Sequence, residues 1–573
     1  MKASLLGIGV VSVLVGGGWA RPQAQGSSRQ LPVVDLDYEL YQANSFNEDR
    51  KFYNFSNIRY AAPPVGELRF KAPESPAFDR SAVRTGSEGK ICPQALPRWA
   101  GISRVWLTDY ITRGVIPPSL PSPGDLSNPS GATLLSDPRQ TEDCLFLDVL
   151  VPQDVYEKPT TRGAPVVVAF HGGGYTYGSK ADLGDAYGLL NRSRVVGEEI
   201  IYVSINYRLG AFGFLSGPSF QKNGIANAGL HDQRFALEWV QKHISKFGGD
   251  KDRVTLLGES AGGGSILHQI TAYGGLLDVP FASAIPQSPA WFPTTSPREQ
   301  EDQFNDLLRE ASVPAGGGVD ELRALPTADL QRANRRDVAA SPYGFFKYGP
   351  SPDGFFVPAD PKTLLNHRQF ARKLRILSAH NTNEGLLFTP PLNSDADFQG
   401  WARNAFRYAQ PAVLSYITDT LYPNRLDGSL GYRDQVARAA LLISEAAFTC
   451  NTVGLSSAFS NNTYSYLFST FPGLHGQDNG LTYYVPGQRY SGGGGDTYIA
   501  DFPVNETAAF ALQDYLVSFA ANGKPDSAVD GVPDFPMVGE QARVLDVGNS
   551  AIREGRDPAS NDRCRWWQLQ LQN

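Results

Sequence analysis

The stretch Gly258-Glu259-Ser260-Ala261-Gly262 lies between an apolar run, Val254 to Leu257, and a small-residue segment able to enter a helix. A strand that reverses sharply into a helix exposes the central residue of a G-x-S-x-G stretch, and it does so only where neighbouring positions lack a clashing Cβ. Ser260 is therefore expected at the tip of a tight turn, presented to a substrate. A serine hydroxyl is a weak nucleophile at neutral pH, so the turn demands a general base, a carboxylate to orient that base, and N–H donors for an oxyanion. With 58 glycines in 573 residues such a stretch also arises by chance. Its partners decide what it means.

Candidate donors lie upstream. Val166-Val167-Val168-Ala169-Phe170 reads as a buried strand and runs directly into His171-Gly172-Gly173-Gly174. Successive glycines after a strand let backbone N–H groups converge on one point, as an oxyanion requires, although an isolated glycine triplet is also simply a flexible turn. Glu142 to Leu150 alternates and then turns apolar, like a strand, and Ile200 to Ile205 is a further strand. A helix is expected from about Ala226 to Phe247, with Leu237, Val240, Ile244 and Phe247 on one face and Gly248-Gly249 as its stop. The nucleophile strand follows.

Composition bounds the setting. The formal charge of −7 is mild and carries no long block of either sign, which argues against a nucleic-acid partner. Residues 1–20 hold one early charge, Lys2, an apolar stretch from Ala3 to Val15 and a small-residue ending at Ala20. That is the pattern of a secretory signal peptide, and the apolar run is shorter than the roughly 20 residues that span a bilayer. The mature protein, 21–573, is then expected outside the cell as a single catalytic domain, with no membrane span. Export permits disulfides, and Cys92, Cys144, Cys450 and Cys564 allow three connectivities. Asn54, Asn191, Asn461 and Asn505 begin N-x-S/T sequons and are candidate glycosylation sites. No cysteine spacing suggests a metal, and no cofactor is expected. Between Cys92 and Cys144 runs a long Pro-, Ser- and Gly-rich segment with Trp99, Trp106 and Tyr110 upstream and no clear period. It is expected to be a loop at the rim of a site, or a surface insertion.

Several longer motifs occur together. Asn227 to Gly262, with Gly229-Leu230-His231-Asp232-Gln233-Arg234, Phe247-Gly248-Gly249 and the Ser260 stretch, resembles the type-B carboxylesterase and cholinesterase family of α/β-hydrolases. Glu142-Asp143-Cys144-Leu145 resembles that family's second signature, and His171-Gly172-Gly173-Gly174 its oxyanion loop. The resemblance runs from about residue 35 to the last helix. It implies an α/β fold with a central, mostly parallel sheet flanked by helices and carrying large loop insertions. It also implies a serine, glutamate and histidine triad and the disulfides Cys92–Cys144 and Cys450–Cys564. One departure is the lack of a cysteine pair that many relatives carry after the nucleophile helix.

The residues themselves can be asked for the triad. Arg375 to Ala379 reads as a strand with Glu384 shortly beyond it, and Tyr464 to Phe468 as a strand with His475 shortly beyond it. In this fold class the order is nucleophile, acid, base, and of the seven histidines only His475 follows Glu384. His380 is the rival base, and Asp353, in an Asp-Gly turn signal, the rival acid. Ser260, Glu384 and His475 are thus the candidate catalytic residues. Gly173, Gly174 and, by resemblance, Ala261 are the oxyanion donors. The expected partner is a small-molecule ester, with the oligomeric state open. The expected activity is hydrolysis of carboxylic esters through an acyl-enzyme. The alternatives are a lipase for long acyl chains and a noncatalytic cholinesterase-like binding protein.

Overall fold

The computed structural model describes residues 30–120, 137–291, 296–488 and 504–569. The expected leader lies outside them. The sheet is built from the runs richest in β-branched residues: Ala164–Phe170 and Ile201–Ile205 are buried along their whole length, as strands covered on both faces must be. From one edge, the order in this 11-stranded sheet begins Ser45–Asn47, Phe52–Arg59, Phe146–Pro152, Ile201–Ile205, Ala164–Phe170 and Gly249–Glu259. It continues Ser283–Gln287, Arg375–Asn381, Tyr464–Phe468, Arg543–Val547 and Ile552–Arg556. The strands from Ile201–Ile205 through Arg543–Val547 are parallel, and the pairs outside them antiparallel. Val33–Asp35, Leu40–Gln42 and Val83–Arg84 form a separate small sheet. This is the α/β-hydrolase fold.

The chain enters the parallel block at Ala164–Phe170, steps to one side for Ile201–Ile205, and returns to the other side for Gly249–Glu259. Strand order therefore reverses at Ala164–Phe170, and ligands in open α/β sheets bind in the crevice beyond such a reversal. Register fixes what meets there. Phe170 lies opposite Gly258, Glu259 opposite Gln287, Gln287 opposite Ala379, and Asn381 opposite Phe468. The carboxyl ends of five neighbouring strands are level, so the loops leaving them share one rim.

The expected helix is Ala228–His243, continued by a 3₁₀ turn at Ile244–Phe247, and Leu237, Val240, Ile244 and Phe247 are all fully buried. Gly248, at φ +87°, ends it. Glu506–Asn522 is helical as its pattern suggests, but it is buried nearly all round rather than on one face. It is wedged between the sheet and the helix Tyr187–Val195. One helical run, Gln435–Ala458, is long and apolar enough to cross a membrane, yet 89% of its most apolar window is buried inside the fold. A π-helical turn at Glu445–Thr449 interrupts it.

The Cys92–Cys144 excursion differs from the expected irregular loop. Arg98–Arg113 is a helix ended by Gly114 at φ +67°, and Trp99, Ile102, Trp106 and Leu107 are buried. Their spacing of three, four and one places them along one face, a period hidden by the proline-rich sequence that follows. Positions 121–136 lie outside the described residues. Cys92 and Cys144 are joined with Cα atoms 5.0 Å apart, and Cys450 and Cys564 with Cα atoms 4.9 Å apart. The second bond ties the helix Cys450–Ala458 to the last helix, Asp562–Leu569. Among the sequons, Asn505 is exposed and caps the helix Glu506–Asn522 with its side chain. Asn54, Asn191 and Asn461 are half-buried.

Candidate active site

Ser260 stands between the strand Gly249–Glu259 and the helix Ala261–Thr271 with φ 59° and ψ −124°. A side chain in that region costs of order 1–3 kcal/mol and persists only where the surroundings impose it. They do so here through the backbone: the Ser260 N–H donates to the Gln287 carbonyl at 3.1 Å, and its carbonyl accepts from Gly264 at 2.8 Å and Ala290 at 3.0 Å. A Cβ on Gly258 would lie 2.7 Å from the Gly262 carbonyl carbon, and one on Gly262 would collide with the Phe170 carbonyl. Both glycines of the motif are thus sterically required.

The glycine loop presses on this turn. A Cβ on Gly172 would sit 3.1 Å from Ser260 Cβ. Gly173 and Gly174 adopt φ +102° and +57°, and the Gly173 carbonyl accepts from the N–H groups of Thr176 and Tyr177, each at 3.1 Å. That bonding turns the carbonyl into the loop. Ala261 begins the helix after Ser260, where N–H groups have no partner within the helix. His171 stacks on Tyr207 with ring centroids 4.3 Å apart, and burial pushes its pKa down to about 4. It is a neutral packing residue of the loop.

Glu384 is fully buried at the start of the 3₁₀ turn Glu384–Phe388. Its Oε2 accepts from His475 Nδ1 at 2.6 Å, and its Oε1 accepts from Ser288 Oγ and from the Asn381 N–H, each at 2.6 Å. The carboxylate is oriented on both oxygens. His475 Nε2 lies 3.2 Å from Glu259 Oε1. The same Glu259 side chain borders Gly172, so it spans the short distance from the imidazole to the Ser260 turn. Burial pushes the imidazole pKa down, but the charges of Glu259 and Glu384 and the Glu384 hydrogen bond outweigh it, and His475 is held up at about 9. Behind it, Asp478 is buried and its pKa raised by that burial, with Tyr466 donating to it at 2.7 Å.

The structure brings Ser260, the glycine loop, Glu384 and His475 onto one rim and sends the rivals elsewhere. His380 Nε2 is 3.0 Å from Asp557 Oδ1. Asp353 accepts from Asn227 Nδ2 at 2.8 Å and from the N–H groups of Phe355 and Val357 at 2.7 and 2.9 Å, as a turn carboxylate does. Sequence reasoning missed Ser288 as a partner of Glu384, although Gln287-Ser288-Pro289 follows the end of a strand. It also missed the aromatic lining. A cavity of about 30 Å³ beside Ser260 is walled by Trp291, Phe346, Tyr348, Phe388 and Phe448, and Phe448 and Phe388 pack on His475 at 4.5 and 5.2 Å. Trp99, from the Cys92–Cys144 excursion, packs in turn on Phe346 and Phe388. Among the described residues, no cluster of three or more His, Cys, Asp or Glu could hold a metal ion.

A strained serine at a strand-to-helix turn, on the crevice side of this sheet and beside a histidine–carboxylate pair, defines the class: an α/β-hydrolase. The chain belongs to the carboxylesterase family, whose model matches residues 41–567, and it is a carboxylic ester hydrolase. It is 40% identical over 556 residues to carboxylesterase patB of Penicillium expansum, covering 94% of this chain and 96% of that one. It is 32% identical over 474 residues to a secreted lipase of Arthroderma benhamiae, covering 79% and 88%. Among solved structures, Aspergillus niger EstA superposes with a TM-score of 0.75 at 25% identity, covering 94% of this chain and 98% of that one.

Proposed function

We propose that this ester hydrolase works from outside the cell, as a single catalytic domain over 21–573, through an acyl-enzyme on Ser260. His475 takes the Ser260 proton as the hydroxyl attacks the ester carbonyl, and Glu384 orients the imidazole and stabilises its protonated form. The N–H groups of Gly173, Gly174 and Ala261 receive the oxyanion, each such donor being worth about 3 kcal/mol in comparable enzymes. The alcohol leaves with the proton from His475. Water then repeats the sequence and releases the acid.

The observation that carries the reading is the Glu384–His475 pair, 2.6 Å long and buried, beside a serine held in a strained turn. His475 Nε2 lies 3.2 Å from Oε1 of Glu259, the residue before Ser260, and proton transfer requires it within hydrogen-bond reach of Ser260 Oγ. Catalytic hydrogen bonds commonly tighten only in the substrate complex. The two disulfides support an extracellular setting, as does the likeness to a protein named a secreted lipase. The aromatic lining of the cavity beside Ser260 supports an apolar acyl group on the substrate.

The test is Ser260→Ala with a p-nitrophenyl phosphonate as label. The parent should take one equivalent on Ser260 and the variant none, with ester turnover falling by about 10⁴-fold or more. Turnover that survives in Ser260→Ala would place the chemistry elsewhere.

A further inference from the structure

A lysine lies buried behind the aromatic wall. Lys362, in the short helix Pro361–Asn366, is 1% exposed, and a buried ammonium costs several kcal/mol unless its partners repay it. Among the described residues it makes no ion pair. Its partners are all wall elements or their supports. Nζ donates to the Ala446 carbonyl at 2.9 Å and stands over the rings of Trp291 and Trp567 at 5.5 and 6.0 Å. Asp360 completes the group, since its Oδ1 accepts from the Lys362 backbone N–H and its Oδ2 from Trp291 Nε1 at 3.0 Å.

Two of these contacts, those to Trp291 and to Ala446, lead to the cavity beside Ser260. Trp291 lines it directly. Ala446 lies in the π-helical turn Glu445–Thr449, the kind of interruption that slips the amide ladder and recurs at functional sites. That turn carries Phe448, which lines the same cavity and packs on His475. One ammonium therefore ties together two walls that approach Ser260 from distant parts of the chain.

We propose that Lys362 is a positioning residue that sets the spacing of Trp291 and Phe448, and through them the size of acyl group the site accepts. The inference rests on Ser260 being the acylated residue. Burial lowers the Lys362 pKa to about 8, against the raising pull of Asp360, so the tie changes character just above neutral pH. The helices packed around Lys362 are Ala261–Thr271, Cys450–Ala458 and Asp562–Leu569. His268, on the first, borders Trp291 and is kept neutral by burial at about 4. The second carries no titrating side chain, its Cys450 being disulfide-bonded. On the third, Arg563 engages Glu445 and Arg565 pairs with Asp562. On these helices Lys362 is the group whose pKa lies near 8, while His475, held at about 9, faces Phe448 from the relay side and changes charge later in the same range. Loss of the Lys362 charge removes the attraction to the rings and leaves a neutral amine on the Ala446 carbonyl.

The experiment compares kcat/KM for p-nitrophenyl butyrate and acetate, from pH 6.5 to 9.5, in the parent and in Lys362→Met and Lys362→Gln. Taking the ratio of the two esters cancels the titration of His475, which serves both. In the parent the butyrate-to-acetate ratio should rise about threefold through pH 8. In Lys362→Met it should be high and flat, carried mainly by KM. Lys362→Gln, which keeps a donor for Ala446, should fall between. All three proteins should still take one equivalent of phosphonate on Ser260, which separates failure of this inference from failure of the acyl-enzyme reading. A flat ratio in the parent, or equal losses on both esters in the variants, would overturn the proposal. If Lys362→Met does not accumulate, the parent profile and Lys362→Gln decide.

Discussion

The two sides of the cavity beside Ser260 are made in different ways. One side, Ser260, Ser288, Glu384 and His475, comes from short turns at the level ends of adjacent parallel strands, and Ser288, Glu384 and His475 are joined by hydrogen bonds of 2.6 Å. The other side is aromatic: Trp291 and Phe388 stand a few residues beyond Ser288 and Glu384 on the same strand-end segments, and Phe346, Phe448 and, behind them, Trp99 come from distant parts of the chain. Trp99, Phe346, Phe388 and Phe448 are joined by ring contacts of 5.2 to 6.4 Å. Directional bonds hold a proton relay in one geometry, whereas ring contacts fix volume and tolerate exchange of shape. The strand-end side is therefore expected to govern whether the reaction runs. The aromatic side is expected to govern on what.

The comparison is broken most severely at the carboxylate. Glu384→Gln keeps the side-chain volume but loses the charge that stabilises protonated His475, and kcat should fall by about 10³- to 10⁴-fold on every ester, long or short. Asp353→Asn should change kcat by less than about threefold, because that carboxylate is engaged by its own turn and by Asn227 and makes no contact with His475. Steady-state rates on a generic aryl acetate decide. A large effect at Asp353 with a small one at Glu384 would reverse the assignment of the acid.

The strand-end side was also the legible one. G-x-S-x-G and a glycine triplet after a strand pointed to Ser260 and Gly173, because those positions answer to local backbone demands that sequence records, whereas Glu384 and His475 were reached through the triad that the family resemblance implies and the chain order of acid and base. Ser288 answers to a contact with a residue 96 positions away, which no local pattern encodes. The helix Arg98–Arg113 did carry a helical period in Trp99, Ile102, Trp106 and Tyr110, but the prolines after it dominated the reading. In the helix Glu506–Asn522, Leu512, Leu516 and Phe519 fall on one face, yet the helix is buried nearly all round. A one-faced pattern describes a surface helix, and this one is covered on the far side by the helices Tyr187–Val195 and Asn479–Thr482, with Gln513 donating to the Tyr484 carbonyl at 2.9 Å.

A smaller break tests the hydroxyl that donates to the Glu384 carboxylate. Ser288→Ala removes one of the three hydrogen bonds on Glu384 and should lower kcat about tenfold, about 1.4 kcal/mol in the transition state. KM should stay unchanged. An equal loss spread over KM would mean that Ser288 shapes the pocket rather than the relay.

Glu259 sharpens the comparison through pH. His475 must be neutral to accept a proton, and with its pKa held up at about 9 by nearby carboxylates, kcat/KM should climb through the mildly alkaline range. Glu259→Gln removes one of those charges and should move the rising limb to lower pH by about one unit, a tenfold change in the neutral fraction. Stability follows the same shift with the opposite consequence. A histidine raised above its ordinary value near 6.5 contributes fully below that pH, and the contribution is lost as pH rises through about 9. The fall in Tm over that interval should therefore be shallower in Glu259→Gln than in the parent. An unmoved rate limb would mean that His475 takes its basicity from Glu384 alone.

The smallest effect is expected at the outer support of the aromatic side, and it is the one that most directly asks whether the two sides act separately. Trp99 donates its indole N–H to the Phe345 carbonyl at 2.7 Å and packs on Phe346 and Phe388 at 5.4 and 5.7 Å. Phe388 is the last ring before His475, so Trp99 reaches the relay only through a ring-to-ring contact. Trp99→Leu keeps an apolar filler but loses the hydrogen bond and part of the ring area, letting Phe346 and Phe388 shift. Hydrolysis of a small acetate should then change by no more than about twofold, while the ratio of a bulky to a small ester changes about threefold, roughly 0.7 kcal/mol of differential transition-state binding. The Cys92–Cys144 bond holds the base of the excursion in place, so the effect is expected in the wall and not in the fold, and Tm should fall by only a few degrees. A uniform loss on all esters would mean that the ring contacts transmit to His475, and that position and selectivity in this cavity are one property rather than two.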